Sequence, residues 1–170
     1  QTCALPIWTM SISRKVLSSL SELGIGLSAK PNYDIPELPL DITELDDEAL
    51  MELFVQFTQW NDHLAGARAI ALINEREAER AVTVAEANAM LQNWTGTKGG
   101  DRVTIVKAHT ATNPTVVVLY DDYNTKYAFR KLIETRAENV ERDSQLVSRE
   151  LTRRTSDGGG MRSRTRKFTT

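Results

Sequence analysis

Residues Leu45 to Trp94 read LDDEALMELFVQFTQWNDHLAGARAIALINEREAERAVTVAEANAMLQNW, with no proline and a single glycine, Gly66. Taking Leu53, Phe57, Trp60, Leu64, Ala67, Ala71, Ala78, Ala81 and Ala85 as one line gives steps of three, four or seven, the spacing of a long amphipathic helix. At about 1.5 Å per residue such a helix runs roughly 70 Å. A rod of that length cannot bury its apolar stripe in itself, so it must lie against another rod, from its own chain or a neighbour. Phe54, Phe57 and Trp60 make its front third bulky, whereas from Ala65 to Ala89 alanine predominates and lets a partner approach closely. Asn74 and Asn88 fall on the same seam, where a polar residue fixes register. Arg68, Glu75, Arg76, Glu77, Glu79 and Arg80 alternate in sign, the pattern of a solvated face.

Upstream, Thr43 with Asp46 reads as a capping box, and Asp46, Asp47 and Glu48 complement the positive end of the helix dipole. Pro31, Pro36 and Pro39 hold the preceding chain extended, as a linker. Residues 11 to 23 place Val16, Leu17, Leu20 and Leu23 at helical spacing and then meet Gly24 and Gly26; a short helix and a frayed arm both fit. Gln1 to Ile7 match the translation of a common sequencing-library adapter, which makes Met10 the expected natural start and removes Cys3, the one cysteine. Without it, the chain fits a reducing cytoplasm.

Downstream, the run Trp94 to Gly100 stops the helix. Asp101 to His109 suits either a short strand, from Val103 and Ile105, or two helical turns, from Val103 and Val106 behind a capping Asp101. Asn113-Pro114 is a strong helix start. The second helix is expected to reach about Thr155, with Val116, Leu119, Tyr123, Ile133, Ala137, Val140, Val147 and Leu151 as its seam and Arg149, Arg153 and Arg154 favourable in its last turn. Gly158 to Gly160 read as a helix stop, and Met161 to Thr170 as a flexible basic tail. The expected layout is therefore an artefactual start over residues 1 to 9, an arm and acidic linker over 10 to 42, a hairpin over 43 to 155 and a disordered basic tail over 156 to 170.

The 170 residues are 41% hydrophobic, and alanine supplies much of that share, which suits a thin interface better than a thick core. The net charge of -2 hides segregation. From Pro31 to Ala67 there are nine Asp and Glu and no Lys or Arg, while Arg149, Arg153, Arg154, Arg162, Arg164, Arg166 and Lys167 load the other end. No apolar window is long enough to span a membrane. Nothing resembles an enzyme centre: His63 and His109 lack partners at metal-ligand spacing, Asp121-Asp122 reads as dipole complementation, and Thr97-Lys98-Gly99-Gly100 lacks the glycines and Lys-Ser/Thr pair of a phosphate loop. No cofactor or metal is expected.

Two stretches fit nucleic acid. Tyr120, Tyr123, Lys126, Tyr127, Phe129, Arg130, Lys131 and Arg136 combine stacking surfaces with cations, although hairpin packing and solvated charge explain the same residues. Arg162, Arg164, Arg166 and Lys167 are spaced to follow a polyanion, or simply to keep a tail soluble. The whole reads as an all-α protein, a long antiparallel, coiled-coil-like helical hairpin with a flexible N-terminal arm and a basic tail. Two helices leave much of each stripe wet, so a homo-oligomer is expected.

The order Phe57-Thr58-Gln59-Trp60-Asn61-Asp62-His63-Leu64, a long helix, Trp94-Thr95-Gly96, Val117 to Tyr123, and Ser148-Arg149-Glu150-Leu151-Thr152-Arg153-Arg154 resembles small helical proteins of tailed bacteriophages, among them the UvsY recombination mediators. The resemblance covers roughly Leu45 to Arg154 and implies a cytoplasmic protein of an infected bacterium. It implies, further, an oligomer of hairpins that binds single-stranded DNA and helps load a recombinase where single-strand-binding protein is in the way. One departure stands out: the mediators are basic late in the first helix, whereas Val82 to Gln92 here hold Glu86 and no Lys or Arg. Either DNA contact has moved to Arg76, Arg80, Lys98, Arg102 and Lys107, joined by Lys126, Arg130, Lys131 and the tail, or the chain keeps the architecture without the activity. The second possibility is a structural or adaptor coiled coil of phage assembly that ignores DNA.

Overall fold

A computed structural model describes residues 11–94 and 101–165, and among these there are helices and no strand. α1 is Ile12–Glu22, α2 Asp47–Asn93, α3 Asp101–Ala111 and α4 Pro114–Thr165, with a 3-10 turn at Ile42–Glu44 before α2. α2 and α4 pack as a long antiparallel pair. Arg154 of α4 meets Asp47, Arg130 meets Glu75 and Tyr120 meets Glu86, so numbering falls along one rod as it rises along the other. Asp101 to His109 thus resolve as helix: Val106 and Thr110, one turn apart, are the buried pair that fixes its face.

The helix starts follow local chemistry. Asn113 Oδ1 accepts from the Thr115 N–H at 3.0 Å, and Pro114 takes the first helical position. α2 is capped by Asp46, whose Oδ1 accepts from the Ala49 N–H at 2.7 Å. Thr43 belongs instead to the preceding 3-10 turn, where Asp41 caps it, so the expected Thr43-Asp46 box is replaced by two successive aspartate caps. α1 is a formed helix with Ser11 as its cap, and Gly24, at φ 73°, turns the chain after it.

α4 departs from expectation at its far end, continuing through Gly158 to Gly160 as far as Thr165. Glycine keeps its N–H, so the hydrogen-bond ladder is uninterrupted; each glycine only weakens the helix, by about 1 kcal/mol relative to alanine. Arg149, Arg153 and Arg154 are therefore not in a last turn, and their role is found in side-chain contacts instead.

Two compact units divide the chain, α2 and α4 contributing to both: unit 1 comprises residues 1–26 and 67–133, unit 2 residues 27–66 and 134–170. In unit 2, Leu50, Phe57, Trp60 and Leu64 of α2 interlock with Val140 and Val147 of α4. The proline-rich stretch is extended, yet it works as a strap, laying Tyr33, Ile35, Leu38, Ile42 and Leu45 on that core. Arg154 ties the strap down, donating to the carbonyls of Ile42 and Thr43, to Asp47 at 2.8 Å and to Glu150 at 2.8 Å. In unit 1 the buried side chains are Ala71, Glu75, Ala78, Val82 and Ala89 of α2, Val116 of α4, and Val106 and Thr110 of α3.

The seams refine the expected ones. On α4, positions 116, 119, 123, 126, 130, 133, 137, 140, 144, 147, 151 and 154 form an unbroken alternation of steps of three and four, and every one is buried or half-buried. The expected seam contained all of these except Lys126, Arg130, Ser144 and Arg154, its polar members. On α2 the buried line passes through Leu50, Phe57, Leu64, Ala71 and Ala78 at steps of seven, and its companion moves from Trp60 to Glu75, Val82 and Ala89. Ala81 and Ala85 are only half-buried and Asn88 is exposed, so the back of the seam lies one position from where it was expected.

Candidate nucleic-acid interface

Six of the expected DNA-contacting cations have described side chains, Arg76, Arg80, Lys107, Lys126, Arg130 and Lys131, and all six fall in unit 1. Lys98, Arg166 and Lys167 lie outside the described residues, as does the Thr97 to Gly100 stretch; Arg162 and Arg164 sit on the last stretch of α4 and Arg102 in the first turn of α3.

The six are not equivalent. Arg130 points into the seam, where its guanidinium binds the carboxylate of Glu75, and Glu75 is only 6% exposed. Its face also lies over the Tyr127 ring, 5.5 Å from the centroid. Arg130 is thus committed to the fold, and Glu75, expected on the solvated face, is its buried partner. Glu75 lies in the seam between Ala71 and Ala78, where only a cation opposite makes a buried carboxylate tolerable. Arg76 pairs with Glu79 at 2.6 Å, which raises the guanidinium's already high pKa, and Lys126 pairs with Asp122 at 2.7 Å; both are surface pairs that a phosphate could exchange for. Arg80 and Lys107 are exposed on α2 and α3, and Lys131 is exposed on α4.

Aromatic residues complete the picture. Tyr123 and Tyr127 lie 6.3 Å apart, and the Tyr120 hydroxyl donates to Glu86 Oε1 at 3.0 Å, a bond that pushes the phenol pKa up. Trp94 is 55% exposed and Phe129 58%. Among the described residues these two, with Tyr120 and Tyr127, are the large aromatics left open to solvent, and all four belong to unit 1. The sequence marks Trp94 as a helix end and as part of the resemblance, not as a surface aromatic; its signal as one is that nothing at helical spacing pairs with it before the glycines. Unit 1 also carries eleven Lys and Arg against eight Asp and Glu, whereas unit 2 carries ten against fifteen.

The remaining candidates have structural partners. His63 bonds the Ser28 carbonyl at 3.1 Å and meets Trp60 edge-on at 5.7 Å. Asp122 is held by Lys126 rather than by a cation site. Among the described residues no three His, Cys, Asp or Glu side chains converge as a metal site, and no helix is long and apolar enough to cross a membrane. Compared with known protein families, with curated proteins and with solved structures, the chain matches none.

Proposed function

We propose that this chain is a non-enzymatic, self-associating helical hairpin that binds single-stranded DNA through unit 1 and serves phage recombination as a mediator that helps load a recombinase. The observation that carries the reading is the coincidence, in one unit, of the exposed aromatics Trp94, Tyr120, Tyr127 and Phe129 with an excess of cations. Flat exposed rings give sequence-tolerant base stacking, and cations around them follow the phosphates. Arg76, Arg80, Lys107, Lys126 and Lys131 are the cations assigned to that role, together with Lys98 and Arg102; Arg162, Arg164, Arg166 and Lys167 belong to unit 2 and are proposed as a separate phosphate contact. Arg130 is withdrawn from it by its pair with Glu75.

The test is anisotropy of a fluorescent single-stranded oligonucleotide titrated with the full chain at low and moderate salt. Binding that weakens steeply with salt, and weakens again in a Trp94→Ala, Arg80→Ala, Lys131→Ala variant, is the expected outcome. A flat titration at low salt overturns the DNA reading. It would leave the adaptor reading, which draws on a different observation: Val55, Met51, Leu72, Val84, Leu91, Val118 and Leu132 stand exposed along the two long helices, the kind of surface protein partners cover.

A further inference from the structure

We propose that unit 1 carries its own competitors for the strand, Glu79 and Asp122 standing in for phosphate on Arg76 and Lys126 until single-stranded DNA displaces them. The proposal rests on the DNA reading and names how that same surface is held in check.

Carboxylates recur against the members of this surface. Glu79 sits on Arg76 at 2.6 Å, Asp122 on Lys126 at 2.7 Å and Glu75 on Arg130, while Glu86 accepts from the Tyr120 hydroxyl at 3.0 Å. Unit 1 holds eight Asp and Glu, and these four are half of them. A carboxylate offers a cation what a phosphate offers, charged oxygens at hydrogen-bond distance. Each is a ligand already in place.

Burial sorts these contacts. Glu75 and Arg130 are largely withdrawn from water, so their pair is a fixed part of the seam. The side chains of Arg76 and Glu79 are 69% and 47% exposed, those of Lys126 and Asp122 37% and 46%. Ion pairs this open to solvent are worth little and exchange readily. One free phosphate gains little over the carboxylate it replaces, whereas a strand brings several phosphates on one backbone and releases its counterions, so the exchange selects a polyanion. Glu79 and Asp122 each lie one turn from their cation on the same helix, so a displaced carboxylate stays beside it and recloses when the strand leaves. Glu86 treats a ring as the others treat cations, holding the Tyr120 hydroxyl against α2.

Anisotropy of a labelled single-stranded oligonucleotide titrated with the full chain tests this through Glu79→Gln and Asp122→Asn, with Asp121→Asn as the matched change in charge. Asp121 is exposed beside Asp122, and among the described residues its carboxylate makes no ion pair. Glu79→Gln and Asp122→Asn are each expected to tighten binding about two- to fivefold. The double variant should also steepen the slope of log affinity against log salt by up to about two, each freed cation adding about one. Asp121→Asn should change affinity by less than about twofold and leave the slope as it is. If Asp121→Asn tightens binding as much as Asp122→Asn, the gain is net charge alone, and the competition is overturned while DNA binding stands. Unchanged affinity in Glu79→Gln and Asp122→Asn overturns it in the same way. A flat titration for every chain removes the DNA reading and the competition together.

Discussion

The two units are built from the same two helices and hold together by different means. Unit 2 interlocks large side chains, Phe57, Trp60, Leu50 and Leu64 with Val140 and Val147, and covers them with a proline-rich strap. Unit 1 closes on alanines and valines around the Glu75–Arg130 ion pair, with Tyr123 half-buried in the seam and Trp94, Tyr120, Tyr127 and Phe129 exposed. The first arrangement fills its core with large side chains; the second lets the helices approach closely on small ones. Side-chain volume along the seam changes between the units while the helical backbone does not.

Mutations should expose the difference. Phe57→Ala empties the centre of the unit 2 core and is expected to cost about 3–5 kcal/mol in urea denaturation, whereas Val116→Ala, the largest fully buried side chain of unit 1, should cost about 2. Equal losses would erase the distinction. Next in size, Glu75→Ala strands the Arg130 guanidinium in the seam and should cost about 3 kcal/mol, while the pair Glu75→Leu with Arg130→Leu should be near neutral or stabilising. If the double substitution costs as much as the single, the ion pair supplies stability itself and is more than a charge made tolerable.

Acid should act on unit 2 through Glu150. The bonds from Arg153 and then Arg154 hold its carboxyl down from an ordinary value of 4.5 to about 2. Asp41 is depressed as well, chiefly by the bond from the Thr43 hydroxyl. A depressed carboxylate stabilises the fold above its unfolded-state pKa, and that contribution fades as pH falls from about 4.5 toward 2. The melting temperature should decline through that window, and less so in Glu150→Gln, which has already lost the charge. The smallest effect is expected at Gly66, where an added methyl would meet Leu27 of the strap at 3.4 Å, ordinary contact distance. Gly66→Ala should stabilise by up to about 1 kcal/mol through helix propensity alone.

What the sequence made legible follows the same division. The long helices, their antiparallel pairing, the Asn113-Pro114 start and eight of the α4 seam positions are written as apolar periodicity. The other four seam positions, Lys126, Arg130, Ser144 and Arg154, are polar, and a hydrophobic pattern cannot nominate them; Arg130 and Arg154 are marked only by their partners Glu75 and Asp47 on the other rod. Glu75 itself stands among alternating charges that read as a solvated face, and only its contact with Arg130 marks it as buried. The strap was unreadable for another reason: its apolar residues are separated by prolines and have no period, so their burial depends on the tertiary contacts with Phe57 and Trp60. At the site, cations were easy to list and their engagement was not, since pairing with Glu79, Asp122 or Glu75 is a property of side-chain geometry.

The most direct measurement of the central claim is the change in oligonucleotide affinity when the exposed aromatics and cations of unit 1 are removed while the stability core of unit 2 is left alone. The account predicts that a Trp94→Ala, Arg80→Ala, Lys131→Ala chain melts close to the wild type, binds single-stranded DNA at least about tenfold more weakly at low salt, and shows a shallower dependence of affinity on salt. Undiminished binding by that variant would contradict it, and would place any DNA contact elsewhere in the chain.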